Sequence, residues 1–203
     1  MSKTWTETDP VLMNDPSIAD LLFEACFLKR LPRSGYAFLG RGSESVAEHT
    51  FAAAFIAFVM TQLHPEADAL RLISLALVHD LPEARTGDIN YLQRLYTRAD
   101  ESRAVADMTA GIPFGNLLTG LLNEFNEQRT LESLLAHDAD QLALILDLKP
   151  VDESGYEPVR EWLTAARGRL KTDTGRRLAR SILEGNSSRW WQKNLIDSHG
   201  RIK

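Results

Sequence analysis

Residues 70–83 read LRLISLALVHDLPE, an apolar run that ends in a His-Asp pair. The apolar side chains fall on several faces of the helix predicted for this run, so we expect the helix to lie in the protein interior. His79 and Asp80 then place two polar side chains at the end of a buried helix. Because buried polar groups need partners, and the carboxylates of Glu83 and Asp88 follow closely, the stretch predicts a helical core with a polar site at its edge.

The composition is that of one globular domain. The chain has 203 residues, of which 44% are hydrophobic, and this is enough for one substantial core. We therefore expect a single domain over residues 1–203. The motif-bearing core covers about 17–150, and C-terminal helices with a tail cover about 156–203.

Charge, hydropathy and cysteine content exclude several classes of protein. The chain has 23 basic and 28 acidic residues, giving a net charge of -5 with His neutral, and no basic stripe that would bind nucleic acid. The longest apolar stretch, 51–60, is well short of the ~20 residues of a membrane span, so we expect no membrane partner. The single cysteine, Cys26, excludes a disulfide framework and lies in an apolar sequence typical of a buried thiol. A cytoplasmic location is expected.

Helical periodicity runs through almost the whole chain, with little of the alternation that marks half-buried strands. The sequence therefore predicts an all-α, single-domain helical bundle. The predicted helices cover roughly 17–30, 45–63, 66–83, 89–95, 98–110, 115–126, 129–148, 156–170 and 173–185.

A second histidine lies near the start of the helix predicted from residue 45. Ser45 and Glu48 have the spacing of a capping box, which places His49 in the first turn. The apolar run after His49 predicts a helix through the centre of the domain. Taken alone, His49 is more simply a hydrogen-bonded structural histidine than a ligand.

A third helix supplies a further carboxylate. Asp140 stands amid apolar neighbours in LLAHDADQLALILDL, residues 134–148, where a carboxylate is costly unless it is paired or bound to a metal. Together with His49, His79 and Asp80 it forms a possible set of two imidazole and two carboxylate ligands. Such a set suits one divalent ion among Mn, Co, Fe, Ni, Mg or Zn, and it differs from a closed structural zinc site, which usually contains thiolates.

Several ordered motifs resemble those of the HD-domain metal-dependent phosphohydrolases, most closely the 5′-deoxynucleotidase-like branch. They are ESVAEH at 44–49, HDLPE at 79–83, GDI at 87–89 and DADQL at 138–142, and the resemblance spans about 17–150. It implies an HD-type fold with metal ligands at His49, His79, Asp80 and Asp140. LKRLPRSGY at 28–36 resembles the segment that orients the substrate phosphate, which implies substrate contacts for Arg33 and Tyr36.

Two departures leave alternatives open. His137 and Asp138 form a second His-Asp doublet, so the last ligand could be Asp138, although the Asp-Gln-Leu context favours Asp140. Because residues two apart on a helix point about 200° from one another, only one of the two can enter the site, and we expect the other to face solvent. Asn90 and Tyr91 also stand where nucleotidase-type members often have a proline-containing segment near the sugar.

The ligand set indicates hydrolysis of a phosphoester, with a coordinated water as the nucleophile. Glu83 lies three positions after Asp80, nearly one helical turn, and is the candidate catalytic acid or base. Arg33 would contact the non-bridging phosphate oxygens, and Asp88 could accept a hydrogen bond from a sugar hydroxyl. Without the metal motif, Glu83 would be an ordinary helix-end glutamate, and Arg33 and Asp88 could serve structural ion pairs.

The predicted function is hydrolysis of (deoxy)nucleoside 5′-monophosphates to nucleoside and phosphate. One alternative is another phosphoester, such as a nucleoside triphosphate or a cyclic nucleotide. A second is a metal-binding sensing or scaffold domain without turnover, against which the retention of Arg33 and Glu83 argues. Members of the resembling family are commonly dimers, and this implies a homodimer here.

Overall fold

The computed structural model describes residues 15–193, and the predicted tail at 194–203 lies outside them. The described residues form α-helices and two short 3-10 turns, Leu28–Arg30 and Gln93–Leu95. They contain no strand, and the isolated bridge Pro32↔Ser45 is their one β pairing. The predicted all-α, single-domain class is confirmed. The helices are α1 Asp15–Phe27, α2 Tyr36–Leu39, α3 Val46–Leu63, α4 Ala69–Val78, α5 Glu83–Thr86, α6 Glu101–Thr109, α7 Gly115–Glu127, α8 Leu131–Glu153, α9 Val159–Arg169 and α10 Asp173–Glu184.

Three helices make the centre of the domain. α8 packs against α3 and α4, which also pack against each other, while α7, α9 and α10 lie against the outer sides of α8. Met60, Leu72, Leu75, Leu142 and Ile145 are fully buried where these helices meet. This arrangement brings the start of α3, the end of α4 and the middle of α8 together, and those are the places where the predicted ligands stand.

α3 begins at the predicted capping box. Ser45 Oγ accepts a hydrogen bond from the Glu48 amide at 3.2 Å, and the Ser45 amide donates to Glu48 Oε2 at 2.7 Å. By length and composition alone this helix could cross a membrane, a test that the core helix of a soluble protein also passes. One face of α3 is buried against α4 and α8, whereas Phe51 and Phe55 on the other face are exposed.

The helix predicted over 66–83 is divided into two. α4 ends at Val78, with His79 as its C-cap, and α5 begins at Glu83. Pro82 has no N–H to continue the hydrogen-bond ladder, so the chain turns between the two helices. At this turn His79 Nε2 and Asp80 Oδ2 lie 3.2 Å apart.

The helix predicted over 89–95 is wrong except for its last turn. Asn90 Oδ1 accepts hydrogen bonds from the amides of Leu92 and Gln93, both at 3.1 Å. An asparagine side chain that captures the amides following it favours a turn over a helix. Only the 3-10 turn Gln93–Leu95 is helical in this segment.

α8 continues past its predicted end at 148, through Pro150. The proline removes one hydrogen bond of the ladder, but the last turn persists because the Ser154 amide donates to the Pro150 carbonyl at 3.1 Å. Lys149 Nζ also donates to the Leu183 carbonyl at 2.8 Å, which ties this end of α8 to α10. Tertiary contacts therefore outweigh the local signal of the proline.

The expectation of a buried thiol at Cys26 is wrong, because Cys26 is exposed. α1 buries Leu21 against the second apolar cluster of the protein, which also contains Val46, Met108 and Leu118. It leaves Phe23 on its outer side, 71% exposed. An apolar sequence around a cysteine thus did not indicate burial here.

Candidate metal centre

Four predicted ligands meet where α3, α4 and α8 converge. His49 lies in the first turn of α3, His79 caps the end of α4, Asp80 follows it, and Asp140 lies in the middle of α8. The side chain of His49 is fully buried, and that of His79 is 3% exposed. The helix packing that the apolar sequences dictate therefore places these polar side chains together at the edge of the core.

The donor atoms lie close to one another. His49 Nε2 is 2.8 Å from Asp140 Oδ1, and His79 Nε2 is 3.9 Å from the same oxygen. Asp80 Oδ2 lies 3.2 Å from His79 Nε2 and 4.0 Å from His49 Nε2. One potential ligand atom from each of His49, His79 and Asp140 falls within 4.8 Å of the other two.

These atoms fit a metal ion. His79 Nε2 and Asp80 Oδ2 are buried and have no hydrogen-bond partner among the described residues. His79 Nδ1 is engaged, because it lies 2.9 Å from the Ala76 carbonyl, and this directs Nε2 toward the site. Two donors on opposite sides of an ion with ligand bonds of about 2.0–2.2 Å lie about 4.3 Å apart. The donor atoms described above are already at comparable distances, so the side chains would need to move little to bind an ion. Two imidazoles and two carboxylates suit a divalent first-row ion.

The electrostatics of the site favour a cation. Burial would lower the pKa of His49, but the hydrogen bond to Asp140 and the nearby carboxylate of Glu44 outweigh it and raise the pKa to about 9. Burial would likewise raise the pKa of Asp140, yet the bond to His49 holds it below its usual range. The two carboxylates thus create a negative potential at the ring nitrogens, and positive charge bound there is stabilised.

Asp138, the alternative last ligand, lies on the other side of α8. Its carboxylate accepts hydrogen bonds from the amides of Lys171 at 2.6 Å and Thr172 at 2.8 Å, and from Thr172 Oγ1 at 2.6 Å. The structure therefore places Asp140, not Asp138, beside the imidazoles. The expectation that the other aspartate faces solvent is wrong: Asp138 is fully buried and holds the segment between α9 and α10.

Arg33 is close to the ligand set. Its Nη1 lies 3.5 Å from Asp80 Oδ2, and its Nε lies 4.0 Å from Glu44 Oε2. Burial lowers the pKa of Arg33, but Asp80 and the other nearby carboxylates raise it above its usual value, so the guanidinium stays charged. The positively charged guanidinium group of Arg33 therefore lies at the edge of the predicted metal centre.

Glu83 begins α5, one short turn beyond Asp80, and its amide donates to the Asp80 carbonyl at 3.0 Å. Glu83 Oε2 is buried and has no hydrogen-bond partner among the described residues. Burial raises the pKa of Glu83 to about 9, and the charges of Asp80 and Asp88 contribute in the same direction. This carboxyl group therefore holds a proton at neutral pH in the metal-free protein.

Asp88 and Tyr36 lie on either side of the Arg33 segment. Asp88 Oδ2 accepts a short hydrogen bond from the Ser34 amide, which ties the segment to the loop after α5. Tyr36 is 7% exposed and donates its hydroxyl to Asp147, while its Oη lies 3.5 Å from Glu44 Oε2. Asp88 Oδ2 and the hydroxyl of Tyr36 are thus engaged by protein groups.

Two residues of this region were given no role by the sequence. Glu44 is buried and approaches Arg33, Tyr36 and His49, and Phe125 of α7 lies 4.8 Å from His79 between ring centroids. Glu44 belongs to the motif ESVAEH, but its burial depends on how the segment before α3 folds back. The contact of Phe125 depends on the packing of α7, which the local sequence does not reveal.

The fold and the site define a helical domain with a candidate His/Asp metal centre. Residues 26–181 match the family model described as the HD domain. The chain belongs to the HD-domain superfamily of metal-dependent phosphohydrolases, as the resemblance of the motifs implied.

Individual relatives are similar over most of the chain. A Bos taurus protein named 5′-deoxynucleotidase HDDC2 is 30% identical over 139 residues, covering 66% of this chain and 67% of the relative. Its Xenopus laevis counterpart of the same name is 29% identical over 170 residues, covering 79% and 83%. Among solved structures, a conserved hypothetical protein from Pyrococcus furiosus has a TM-score of 0.69 and 29% identity, covering 82% of this chain and 97% of that one.

Proposed function

We propose that this protein hydrolyses (deoxy)nucleoside 5′-monophosphates to nucleoside and inorganic phosphate, using one divalent metal ion. The observation that carries the proposal is the convergence of His49, His79, Asp80 and Asp140 at one centre, where His79 Nε2 and Asp80 Oδ2 lie 3.2 Å apart and neither makes a hydrogen bond among the described residues. The choice of a nucleoside monophosphate is supported by relatives named 5′-deoxynucleotidase.

The four ligands would hold the ion through His49 Nε2, His79 Nε2 and the carboxylates of Asp80 and Asp140. A bound divalent ion polarises a phosphoryl group and provides an activated water near neutral pH. The protein contributes the rest of the arrangement. α3, α4 and α8 fix the positions of the donors, and the bond of His79 Nδ1 to the Ala76 carbonyl fixes the orientation of that ring.

Arg33 would bind the phosphate. Its guanidinium is held near Asp80 and Glu44, so it already lies at the edge of the centre before a substrate arrives. A planar guanidinium can donate two parallel hydrogen bonds to non-bridging phosphate oxygens. This contact would orient the phosphorus and stabilise the charge that develops during in-line displacement.

Glu83 would donate a proton to the leaving oxygen of the nucleoside. In the metal-free protein its pKa is raised to about 9, first by burial and then by Asp80 and Asp88, so among the carboxyl groups of the site it is the one suited to hold a proton. A nucleoside alkoxide is a poor leaving group unless it is protonated as the P–O bond breaks, and a positioned acid supplies that proton. The unpaired Oε2 is the atom available for this step.

Asp88 and Tyr36 are proposed to contact the nucleoside. One oxygen of Asp88 accepts from the Ser34 amide, and its second oxygen would accept from a sugar hydroxyl. The hydroxyl of Tyr36 is already bonded to Asp147, so a contact with substrate would use its ring.

We also propose that the protein is a cytoplasmic homodimer. The outer face of α3 supports the dimer: Phe51, Phe55 and Phe58 are 73%, 58% and 48% exposed, and no charged residue occurs between positions 51 and 63. This uncharged stripe is about 18 Å long, and contiguous exposed apolar surface is typical of an interaction site. Analytical ultracentrifugation of the wild type and of Phe55→Glu tests whether the protein is a dimer that forms through this face. We expect a dimer that the substitution dissociates, and a wild-type monomer at micromolar concentration would contradict it.

The substrate is tested with metal-stripped protein that is reconstituted with Mn, Co, Mg or Zn in turn. Phosphate and nucleoside are counted for ribo- and deoxyribonucleoside monophosphates, triphosphates and cyclic nucleotides. One phosphate per nucleoside, from monophosphates only, is expected. Pyrophosphate or triphosphate release, or turnover of cyclic nucleotides alone, would move the assignment to another phosphoester. Tight metal binding without turnover of any of these would favour a sensing or scaffold role.

A further inference from the structure

A buried carboxylate outside the ligand set lies behind the metal centre. Glu44 is 8% exposed and precedes the N-cap of α3. Its backbone carbonyl accepts a hydrogen bond from the Arg33 amide at 2.8 Å. Its Oε2 lies 3.6 Å from His49 Nδ1, 3.5 Å from Tyr36 Oη and 4.0 Å from Arg33 Nε. Since burial of a carboxylate is costly, these neighbours account for its presence in the interior.

His49 needs a partner of this kind. If Nε2 binds a metal ion, that nitrogen gives its lone pair to the ion, so the ring proton must lie on Nδ1. Nδ1 is buried and has no hydrogen-bond partner among the described residues, and the carboxylate that approaches it is that of Glu44. A contraction of about 0.7 Å from the present 3.6 Å would give an ordinary hydrogen bond.

We infer that Glu44 is a positioning residue for the metal centre: it fixes the Nδ1–H tautomer and the ring orientation of His49, and it holds Arg33 beside the same centre. This inference rests on the proposed metal site. A carboxylate that accepts from the distal N–H of a ligating histidine makes the ligand more basic, and loss of such a partner costs about 10- to 100-fold in metal affinity. One oxygen thus links the residue proposed to bind metal with the residue proposed to bind phosphate.

Asp147 provides a matched control. It is partly buried on α8 and accepts the hydroxyl of Tyr36, so it belongs to the same polar cluster as Glu44. Its hydrogen bond is with Tyr36, and it interacts with His49 and Arg33 only through longer-range charge interactions. If Glu44 served only to support Tyr36 and the local packing, Asp147→Asn and Glu44→Gln would change metal affinity by similar amounts.

The experiment measures binding of Co²⁺ alone to the full chain, with no substrate, by visible absorption at fixed pH. We expect Glu44→Gln to weaken Co²⁺ binding about tenfold or more and to alter the absorption band, because the charge on the partner of His49 is lost. Asp147→Asn should stay within about twofold of the wild type. Equal affinities for Glu44→Gln and wild type, or an equal loss in both variants, would overturn the inference.

A measurement on the wild type covers the case in which Glu44→Gln does not fold. In the Zn²⁺-loaded protein, ¹⁵N–¹H correlation through the imidazole ring should show His49 protonated at Nδ1, with that proton protected from exchange. Protonation at Nε2, or an Nδ1 proton that exchanges freely with water and so has no carboxylate partner, would overturn the inference. Both tests are independent of turnover, so failure to hydrolyse nucleotides would count against the proposed function and leave the role of Glu44 to be judged by metal binding.

Discussion

The imidazole Nε2 of His49 lies 2.8 Å from Asp140 Oδ1, although 91 residues separate the two along the chain. The pair joins the first turn of α3 to the middle of α8, and the end of α4 brings His79 to the same point. Because packing of the apolar faces sets these helix positions, the geometry of the centre is a consequence of the core.

Asp138 and Asp140, two residues apart on α8, should have opposite phenotypes. Asp140→Asn is expected to weaken divalent metal binding by more than about 100-fold, since loss of a ligand exceeds loss of its hydrogen-bond partner. Asp138→Asn is expected to leave metal affinity within a few-fold of wild type and to lower the free energy of unfolding by about 1–3 kcal/mol, because buried amides lose a charged acceptor. Metal titration and chemical denaturation of both variants measure this, and exchanged phenotypes would contradict the assignment.

The buried position of the Asp138 carboxylate requires a residue without a side chain at position 175. A Cβ added at Gly175 would overlap Asp138 Oδ2, so Gly175→Ala must displace the carboxylate. We expect a loss of about 1–3 kcal/mol in unfolding free energy, the usual cost of overpacking. In an Asp138→Ala background, the same substitution should cost much less. Additive effects in this double-mutant cycle, measured by denaturation, would show that the two positions act independently.

Glu83→Gln tests the proton donor. The substitution keeps the size of the side chain but removes its proton-transfer capacity, so kcat should fall by about 10²- to 10⁴-fold while divalent metal affinity is retained. Glu127→Gln, at an exposed position on α7, is the control and should keep wild-type kcat. Steady-state kinetics separate the two, and a Glu83→Gln enzyme with near wild-type kcat would exclude Glu83 as the acid.

Acid should weaken the contact between α4 and α7. Burial would raise the pKa of Glu124, but Arg71 and Thr130 hold it below its usual value of 4.5. A carboxylate whose folded-state pKa is lowered contributes stability that is complete above the unfolded pKa and is lost as the pH falls below about 4.5. Glu124→Gln should therefore be less stable than wild type at pH 7, with the difference shrinking toward pH 3. A pH-independent difference in the denaturation midpoints would contradict this.

The sequence predicted the central helices, and it placed His49 and His79 at the edge of the core, because both features depend on strong local signals. The apolar runs that contain His49 and His79 identify the buried helices, and the Ser45–Glu48 capping box fixes where α3 begins. Where a side chain captured nearby amides, as Asn90 does, or where distant packing outweighed a proline, as at Pro150, the local pattern predicted the wrong element.

The fine structure of the site could not be predicted in the same way. The sequence left Asp138 and Asp140 as alternatives, because helical spacing shows that they point apart but not which of them meets the imidazoles. That choice depends on the segment at 171–172, which binds Asp138 from the far side of α8. The position of Glu44 likewise depends on how the chain folds back before α3, and the hydrophobic periodicity of the sequence does not predict this.

The most direct test of the account is phosphate release from a 2′-deoxynucleoside 5′-monophosphate by metal-stripped protein, before and after one equivalent of divalent ion is returned. Wild type and Asp80→Ala are compared under identical conditions. We expect no release without metal, release of one phosphate per nucleoside when metal is returned to wild type, and none from Asp80→Ala. Equal release from the stripped wild type or from Asp80→Ala would contradict the central claim that this His/Asp centre catalyses phosphomonoester hydrolysis.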